Sequence, residues 1–288
     1  MIEVVPELCT KCGFCVKICP SKIFTIDQDI VGVEFEEYCI LCGHCLAICP
    51  ESAIRYEELD YTQFQGIPKE KIDPQHLFAL FQTRRSIRNF KNKPLEKELI
   101  QQLIHEIRYA PTSSNLQNVH YLVLQDKSIP PFVTKIRDFY GNVLKIFQSS
   151  QSESTTIARR ARKWNYWLKE AERGKDAICY DPPAIIIAYA PSSDSMASLN
   201  VGFAISYLML AAHANGLGTV NIGYAVEAIR RKPKIAESLG ISTEEYEVYA
   251  VLSLGFPAYK YSRIPLRQPA HIVWHEINEK TDEQQINT

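Results

Sequence analysis

The chain has 288 residues, 46% of them hydrophobic and 23% charged, with a net charge of −1. That length suits one large domain or two unequal ones, and the balanced charge gives no overall basic signal for nucleic acid. The charge is unevenly spread: residues 1–60 hold four basic and eleven acidic residues, net −7, which leaves 28 basic against 22 acidic, net +6, in the rest.

An internal repeat opens the chain. CTKCGFCVKICP at 9–20 matches CILCGHCLAICP at 39–50, with each cysteine offset by thirty residues. Each unit precedes a short β-like segment, IFTID at 23–27 and AIRYEE at 53–58. Halves this small bury little apolar surface, so a metal must supply folding energy. The spacing C-x2-C-x2-C-x3-C-P, twice over, fits two [4Fe–4S] clusters, because three closely spaced thiolates serve one cluster while the fourth reaches the other. This predicts Cys9, Cys12, Cys15 and Cys49 on one cluster, and Cys19, Cys39, Cys42 and Cys45 on the second. Structural zinc, the rival, is usually held by two separated C-x2-C pairs. The stretch resembles bacterial two-cluster ferredoxins over its whole length. Gly13 and Gly43 suit a close backbone approach, and His44 lies where it could tune a cluster.

Residues 59–75 mix Gly66, Pro68 and Pro74 with charge and read as a linker. The expected division is a ferredoxin-like domain at 1–60, a linker at 61–75 and a second domain at 76–288. In the second domain a helix is expected near 75–83. An amphipathic helix follows Pro94, with Leu95, Leu99, Leu103 and Ile107 at four-residue intervals. APTSSN at 110–115 reads as a turn, HYLVLQD at 120–126 as a strand and AIIIAYA at 184–190 as a buried strand. A long apolar helix is expected over 196–216, ended by Gly216 and Gly218, and a buried strand over 246–256. The body is therefore expected to be α+β.

No G-x-G-x-x-G is present: GLGTVNIG at 216–223 has the wrong spacing. RRSIR at 84–88 puts three guanidinium groups and a hydroxyl within five residues, a set that suits phosphate oxygens, although arginine-rich helix ends are also common on plain surface. The ordered set RRSIRNF, APTSSNLQN, GLGTVNIG and GFPAYKYSRIPLRQP resembles the nitroreductase family of FMN-dependent oxidoreductases over roughly residues 76–275. The resemblance implies a nitroreductase-like α+β flavin domain that forms a homodimer with FMN at each of two interfaces. It further implies that Arg84, Arg85, Ser86 and Arg88 hold the FMN phosphate, ribityl chain and pyrimidine edge. Thr112, Ser113 and Asn115 would reach the flavin from the other subunit, and Ile222 and Gly223 would offer backbone donors near its N5. A late arginine returns to the phosphate, with Arg267 preferred and Arg263 competing. The chain departs from the family pattern at Ser113-Ser114, where Gly-Gly often precedes the Asn, and at Asn118-Val119, where Pro-Trp often follows the Gln.

Residues 146–180 look like an insertion. Arg159, Arg160, Arg162, Lys163, Lys169, Arg173 and Lys175 interleave there with Trp164, Tyr166 and Trp167. Two readings stand: a basic aromatic lid over the flavin that favours a flat or anionic substrate, and a surface helix whose tryptophans pack on the body. Cys179 reads as a buried cysteine and His213 as a packed core residue. No acid–base pair stands out, so no catalytic residue is assigned. The expectation is an oxidoreductase that takes electrons through the clusters, from an external ferredoxin or another low-potential donor, to FMN and on to a nitroaromatic, quinone or similar acceptor. The alternatives are an NAD(P)H-dependent reductase with accessory clusters, and a non-catalytic electron carrier or redox sensor. MIEVVPELC lacks a signal-peptide pattern and the apolar runs near 184–190 and 201–214 look too short or interrupted to span a bilayer, so a cytoplasmic protein without a membrane or nucleic-acid partner is expected.

Overall fold

The computed structural model describes residues 1–28, 30–57, 59, 64–149 and 155–275, with no account of side chains 155–157. The first part, up to Tyr56, is built twice on one plan. Strand β1 (Ile2–Val4) pairs antiparallel with β4 (Ile54–Tyr56), and β2 (Phe24–Asp27) pairs with β3 (Ile30–Val33). Helices α1 (Phe14–Ile18) and α2 (His44–Ile48) start at Gly13 and Gly43, whose φ values of 69° and 70° lie in the left-handed region that glycine enters without strain. Ile2, Ile23, Phe24, Val31, Ile54 and Tyr56 form a small core with Cys15, Cys19 and Cys45. Strands β1 and β3 and the two short helices escape the periodicity argument, because each spans three to five residues.

The body is a four-stranded antiparallel sheet between two helical layers. Strands β5 (His120–Gln125), β6 (Ala184–Pro191), β7 (Gly218–Asn221) and β8 (Tyr246–Gly255) stand in the order β5-β6-β8-β7. β6 is an Ile- and Ala-rich run sealed on both faces, and its alternation divides the core. Ile185 and Ile187 point into one layer, whereas Ala184, Ile186, Ala188 and Ala190 point into the other. The second layer holds α4 (Lys97–Glu106) and α7 (Ala197–Ala214); of the predicted stripe Leu95, Leu103 and Ile107 are buried there beside Ile100, whereas Leu99 is only partly buried. The first layer holds α5 (Ile129–Ser149), α6 (Thr155–Glu172), α8 (Gly223–Arg231) and α9 (Lys234–Glu237). Each fully buried aliphatic side chain in these layers stabilises the fold by about 1.5–3 kcal/mol. The segment expected as an insertion is therefore the end of α5 and the whole of α6, and residues 150–154 between them lie outside the described residues.

Helix α7 is apolar all round. Its inner side, with Val201, Ile205 and Leu208, packs on the sheet, while Leu199, Phe203 and Tyr207 remain 40–45% exposed along its outer side. By length and composition alone it could cross a membrane, against the expectation from its sequence, but it is the core helix of this layer.

Helix α3 (Pro74–Thr83) begins on Asp73, whose carboxylate accepts from the Gln75 N–H at 2.9 Å. The chain leaving α3 then lies against the sheet edge: Ser86 bridges Thr219 in parallel, and the Ile87 N–H donates to the Thr219 carbonyl at 2.9 Å. Only glycine fits opposite, since a Cβ on Gly218 would stand 2.4 Å from Ile87 Cγ1. Gly218→Ala must push Ile87 and the arginine segment off β7, at a cost of about 1–3 kcal/mol. Denaturant titration should show that loss as a lower midpoint with an unchanged slope.

Candidate functional site

Eight cysteines line two hollows in the first part of the chain. Cys9, Cys12, Cys15 and Cys49 surround one, with Val4, Val31 and Ile54 behind them. Cys19, Cys39, Cys42 and Cys45 surround the other, with Phe24, His44 and Tyr56. Each group therefore draws its fourth thiol from the opposite repeat. Backbone N–H groups already point at sulfur: Ala53 donates to Cys49 Sγ at 3.2 Å and Leu41 to Cys39 Sγ at 3.4 Å. The Tyr56 hydroxyl stands 3.1 Å from Cys39 Sγ. Among the described residues no three His, Cys, Asp or Glu side chains converge closely enough for a single metal ion. Four thiols around an open hollow suit a larger inorganic core, for which such N–H···S contacts set the potential.

In the body, the arginine segment leads into two cavities. The larger, about 560 Å³, is lined by Arg85, Lys91, His213, Lys260 and Arg263 together with Phe256 and Tyr259. His213 is not the core residue expected: it is half-buried, and its Nε2 lies 2.9 Å from Thr83 Oγ1. Burial lowers its pKa, and the positive charges of Arg84 and Arg85 lower it further, both favouring the neutral ring. Arg263 shares this cavity with Arg85, whereas Arg267 lies on the exposed tail and lines neither cavity. Of the two late arginines, Arg263 is therefore the one that lies beside the arginine segment. Lys91, Lys260 and His213 were not singled out as ligands, because nothing in their spacing marks them.

The smaller cavity, about 310 Å³, joins Arg88, Ile222 and Gly223 to Tyr180, Tyr224 and Glu227 and to three residues of α6, Arg160, Lys163 and Trp167. Of the two readings of the insertion, the structure shows the packing of its tryptophans on the body. Trp164 and Trp167 are packed in the core, Trp164 stacked on Tyr140 and Trp167 edge-on to Tyr224. Arg160 and Lys163 face the cavity instead. The Lys163 ammonium sits 4.5 Å from the Tyr224 ring centroid, a cation–π contact. Burial lowers the Lys163 pKa, and the Arg88 charge lowers it further. Cys179 is fully buried in this layer with its thiol pushed up well above the usual range, which makes it inert packing.

The remaining candidates lie elsewhere in the chain. Thr112, Ser113 and Asn115 sit at the N-terminal end of α7. The Ser113 N–H donates to Asn200 Oδ1 at 2.9 Å, and Asp194 Oδ2 accepts from both Asn200 and Asn118 at 3.0 Å. Asn118, one of the departures from the family pattern, is thus a strut of this loop. His213, beside the arginine segment, lies thirteen residues further along α7 than Asn200, or about 20 Å at the helical rise. A single chain therefore holds the two halves of the expected constellation apart.

Comparison with known proteins places these features. Residues 81–256 match the model of the nitroreductase family, and residues 8–54 match that of a 4Fe-4S dicluster domain. The chain belongs to the nitroreductase family. An iodotyrosine deiodinase of Thermotoga neapolitana is 24% identical over 185 residues, 63% of this chain and 88% of that protein. A BluB-like flavoprotein of Clostridium difficile superposes with a TM-score of 0.53 at 19% identity, over 69% of this chain and 99% of the other. A Bacteroides fragilis nitroreductase solved with bound FMN gives 0.51 at 18% identity, over 69% and 98%. These likenesses establish the α+β nitroreductase fold, which the sequence also led us to expect.

The depressed pKa of Lys163 is open to measurement. Arg88→Leu removes the second cause and should raise that pKa, leaving burial to hold it below the ordinary lysine value. Acylation of Lys163, followed by mass spectrometry against pH, should therefore slow at fixed pH in the variant, because less of the amine is unprotonated.

Proposed function

We propose that this nitroreductase-family oxidoreductase is an iron–sulfur flavoprotein that takes in electrons at its cysteine module and reduces a small organic acceptor at its body. One observation carries the reading: a single chain holds two four-cysteine hollows and, in a separate fold, a pair of basic and aromatic cavities. We divide the chain accordingly, with the cluster domain at 1–60, the linker at 61–75 and the flavin domain at 76–288. The eight cysteines would hold two [4Fe–4S] clusters in the two groups given above. The body's residues suit FMN. Arg84, Arg85 and Ser86 with Arg263 would hold the phosphate end and ribityl chain, and Arg88 the pyrimidine edge. Ile222 and Gly223 would stand near N5, in a cavity whose Tyr180 and Tyr224 suit a flat ring. When bound, FMN supplies a carrier that collects single electrons and releases a hydride equivalent.

The chain's own residues do the rest. Arg160 and Lys163 put positive charge over the smaller cavity, which favours a flat or anionic acceptor such as a nitroaromatic or a quinone. Trp167 shields its inner wall from water. A homodimer answers the separation along α7: antiparallel pairing through Leu199, Phe203 and Tyr207 would bring Thr112, Ser113 and Asn115 of one copy to the arginine segment of the other. We place the protein in the cytoplasm, where thiolates stay reduced.

Arg263→Ala should weaken FMN binding about tenfold to a hundredfold, as loss of a charge-assisted hydrogen bond does, and Arg267→Ala should leave it unchanged. Flavin titration by fluorescence quenching decides this, and the opposite pattern returns the role to Arg267. The electron route is tested by deleting residues 1–60. Reduced external ferredoxin should turn over the full chain much faster than the shortened one, with NAD(P)H slow for both. A folded, FMN-loaded short form that keeps full turnover with NAD(P)H would make this an ordinary nicotinamide-dependent reductase.

A further inference from the structure

The two cysteine repeats are near copies, yet they meet different surroundings. Among the described residues, two hydrogen bonds cross from the body to the cluster module, both donated by Asn115 Nδ2, to the Ile40 carbonyl at 3.1 Å and the Leu41 carbonyl at 2.9 Å. Ile40 and Leu41 lie between Cys39 and Cys42. Asn115 lies in the loop that Asn200 and Asp194 fix on α7. The same position in the first repeat is filled by Thr10 and Lys11, between Cys9 and Cys12. Lys11 and Leu41 share an unusual backbone, with φ of 61° and 50°, so the loops have one shape and differ in chemistry. The carbonyls of the apolar pair meet the body, while the Leu41 side chain is 59% exposed and Thr10 and Lys11 are both exposed. Cys12 is exposed, whereas its counterpart Cys42 is partly covered.

From this asymmetry we propose that Asn115 latches the Cys39–Cys42 loop onto the flavin domain, which makes the site of Cys19, Cys39, Cys42 and Cys45 the inner cluster site. The site of Cys9, Cys12, Cys15 and Cys49 is the outer one, where an external one-electron donor of low potential docks. The inference rests on the electron-transfer reading above and adds a direction to it. One electron leaves the donor, reduces the outer site and passes to the inner site; the donor is oxidised, and no bond forms or breaks. Thr10, Lys11 and exposed Cys12 form the face the donor meets.

Two measurements on the anaerobic holoprotein test this. The first is amide hydrogen exchange, which reads the latch without reference to activity. Asn115→Asp, compared with the parent at equal flavin occupancy, should speed exchange about fivefold in peptides covering 38–44 and 111–118, and leave 8–14 unchanged. Leu41→Lys gives the inner loop the outer loop's residue at an exposed position and should act in the same direction with Asn115 intact. Unchanged exchange at 38–44 in both variants overturns the latch. The second uses Cys39→Ser and Cys9→Ser, with cluster reduction followed by freeze-quenched EPR and flavin by absorbance. With Cys39→Ser, the outer cluster should stay reduced while flavin bleaching is largely lost. With Cys9→Ser, reduction by a protein donor should slow, yet a pre-reduced inner cluster should still empty at the parent rate. The reverse pattern overturns the order. Bleaching indifferent to both lesions sinks the electron-transfer reading and the order of clusters with it, and faster exchange at 38–44 would then keep the docking contact alone.

Discussion

Helix α7 holds apart two groups of residues that the family resemblance places around one flavin. At one end, Asn200 accepts from the Ser113 backbone and ties down the loop of Thr112 to Gln117. At the other, His213 meets Thr83, and the arginine segment begins one residue later. A helix is stiff and rises about 1.5 Å per residue, so this spacing is a fixed length in the molecule. The same helix presents apolar side chains outward as well as inward, which a solitary soluble helix does not need. Separation and outer face have one resolution in the proposed dimer.

The elements of the body that the sequence foretold, α3, α4, α7, β5, β6 and β8, carry a clear period or an apolar run, whereas α5 and α8 were not anticipated although α5 is 21 residues long. β6 is a continuous apolar run, β8 is apolar apart from Glu247 and Ser253, and α4 carries a four-residue rhythm, so period and burial agree. The doubled cysteine pattern was legible for a different reason: its spacing reflects the reach of thiols around a compact inorganic core, and the folded chain gathers the same two groups of four. Tertiary contacts were not legible. Nothing local distinguishes Arg263 from Arg267, four residues apart in an irregular tail; only the wall of a cavity separates them. His213 sits in an apolar helix and reads as core until α3 is seen to end against it. Asn118 reads as a mere departure from a pattern, although Asp194 holds it in place.

Gly218 shows how a weak sequence signal becomes a strong structural one. GLGTVNIG fails as a dinucleotide fingerprint, which leaves its glycines without that purpose. The space at Gly218 is taken by Ile87, so this glycine exists for close packing of the arginine segment on β7. The placement of the arginine segment is thus written in two distant places, residues 84–88 and the missing side chain at 218.

The charge asymmetry of −7 against +6 and the Asn115 contacts act at different ranges. Screening confines exposed charges to about 8 Å at physiological salt, so opposite signs orient the cluster module only once it is near. Two amide–carbonyl hydrogen bonds contribute about 1 kcal/mol each, too little to hold free partners together at low concentration. The covalent linker changes that balance by keeping the module at high effective concentration beside its docking loop. A junction of this strength suits a part that must be found in one orientation without being locked there. Specificity of register then falls to short-range geometry: two carbonyls, turned outward by the left-handed backbone at Leu41, meet one carboxamide held by α7. The first repeat has the same backbone turn but carries Lys11 in the place of Leu41. Presenting that half to the body would bring an ammonium towards a net positive surface, so the charge asymmetry that favours docking also favours docking by the second repeat.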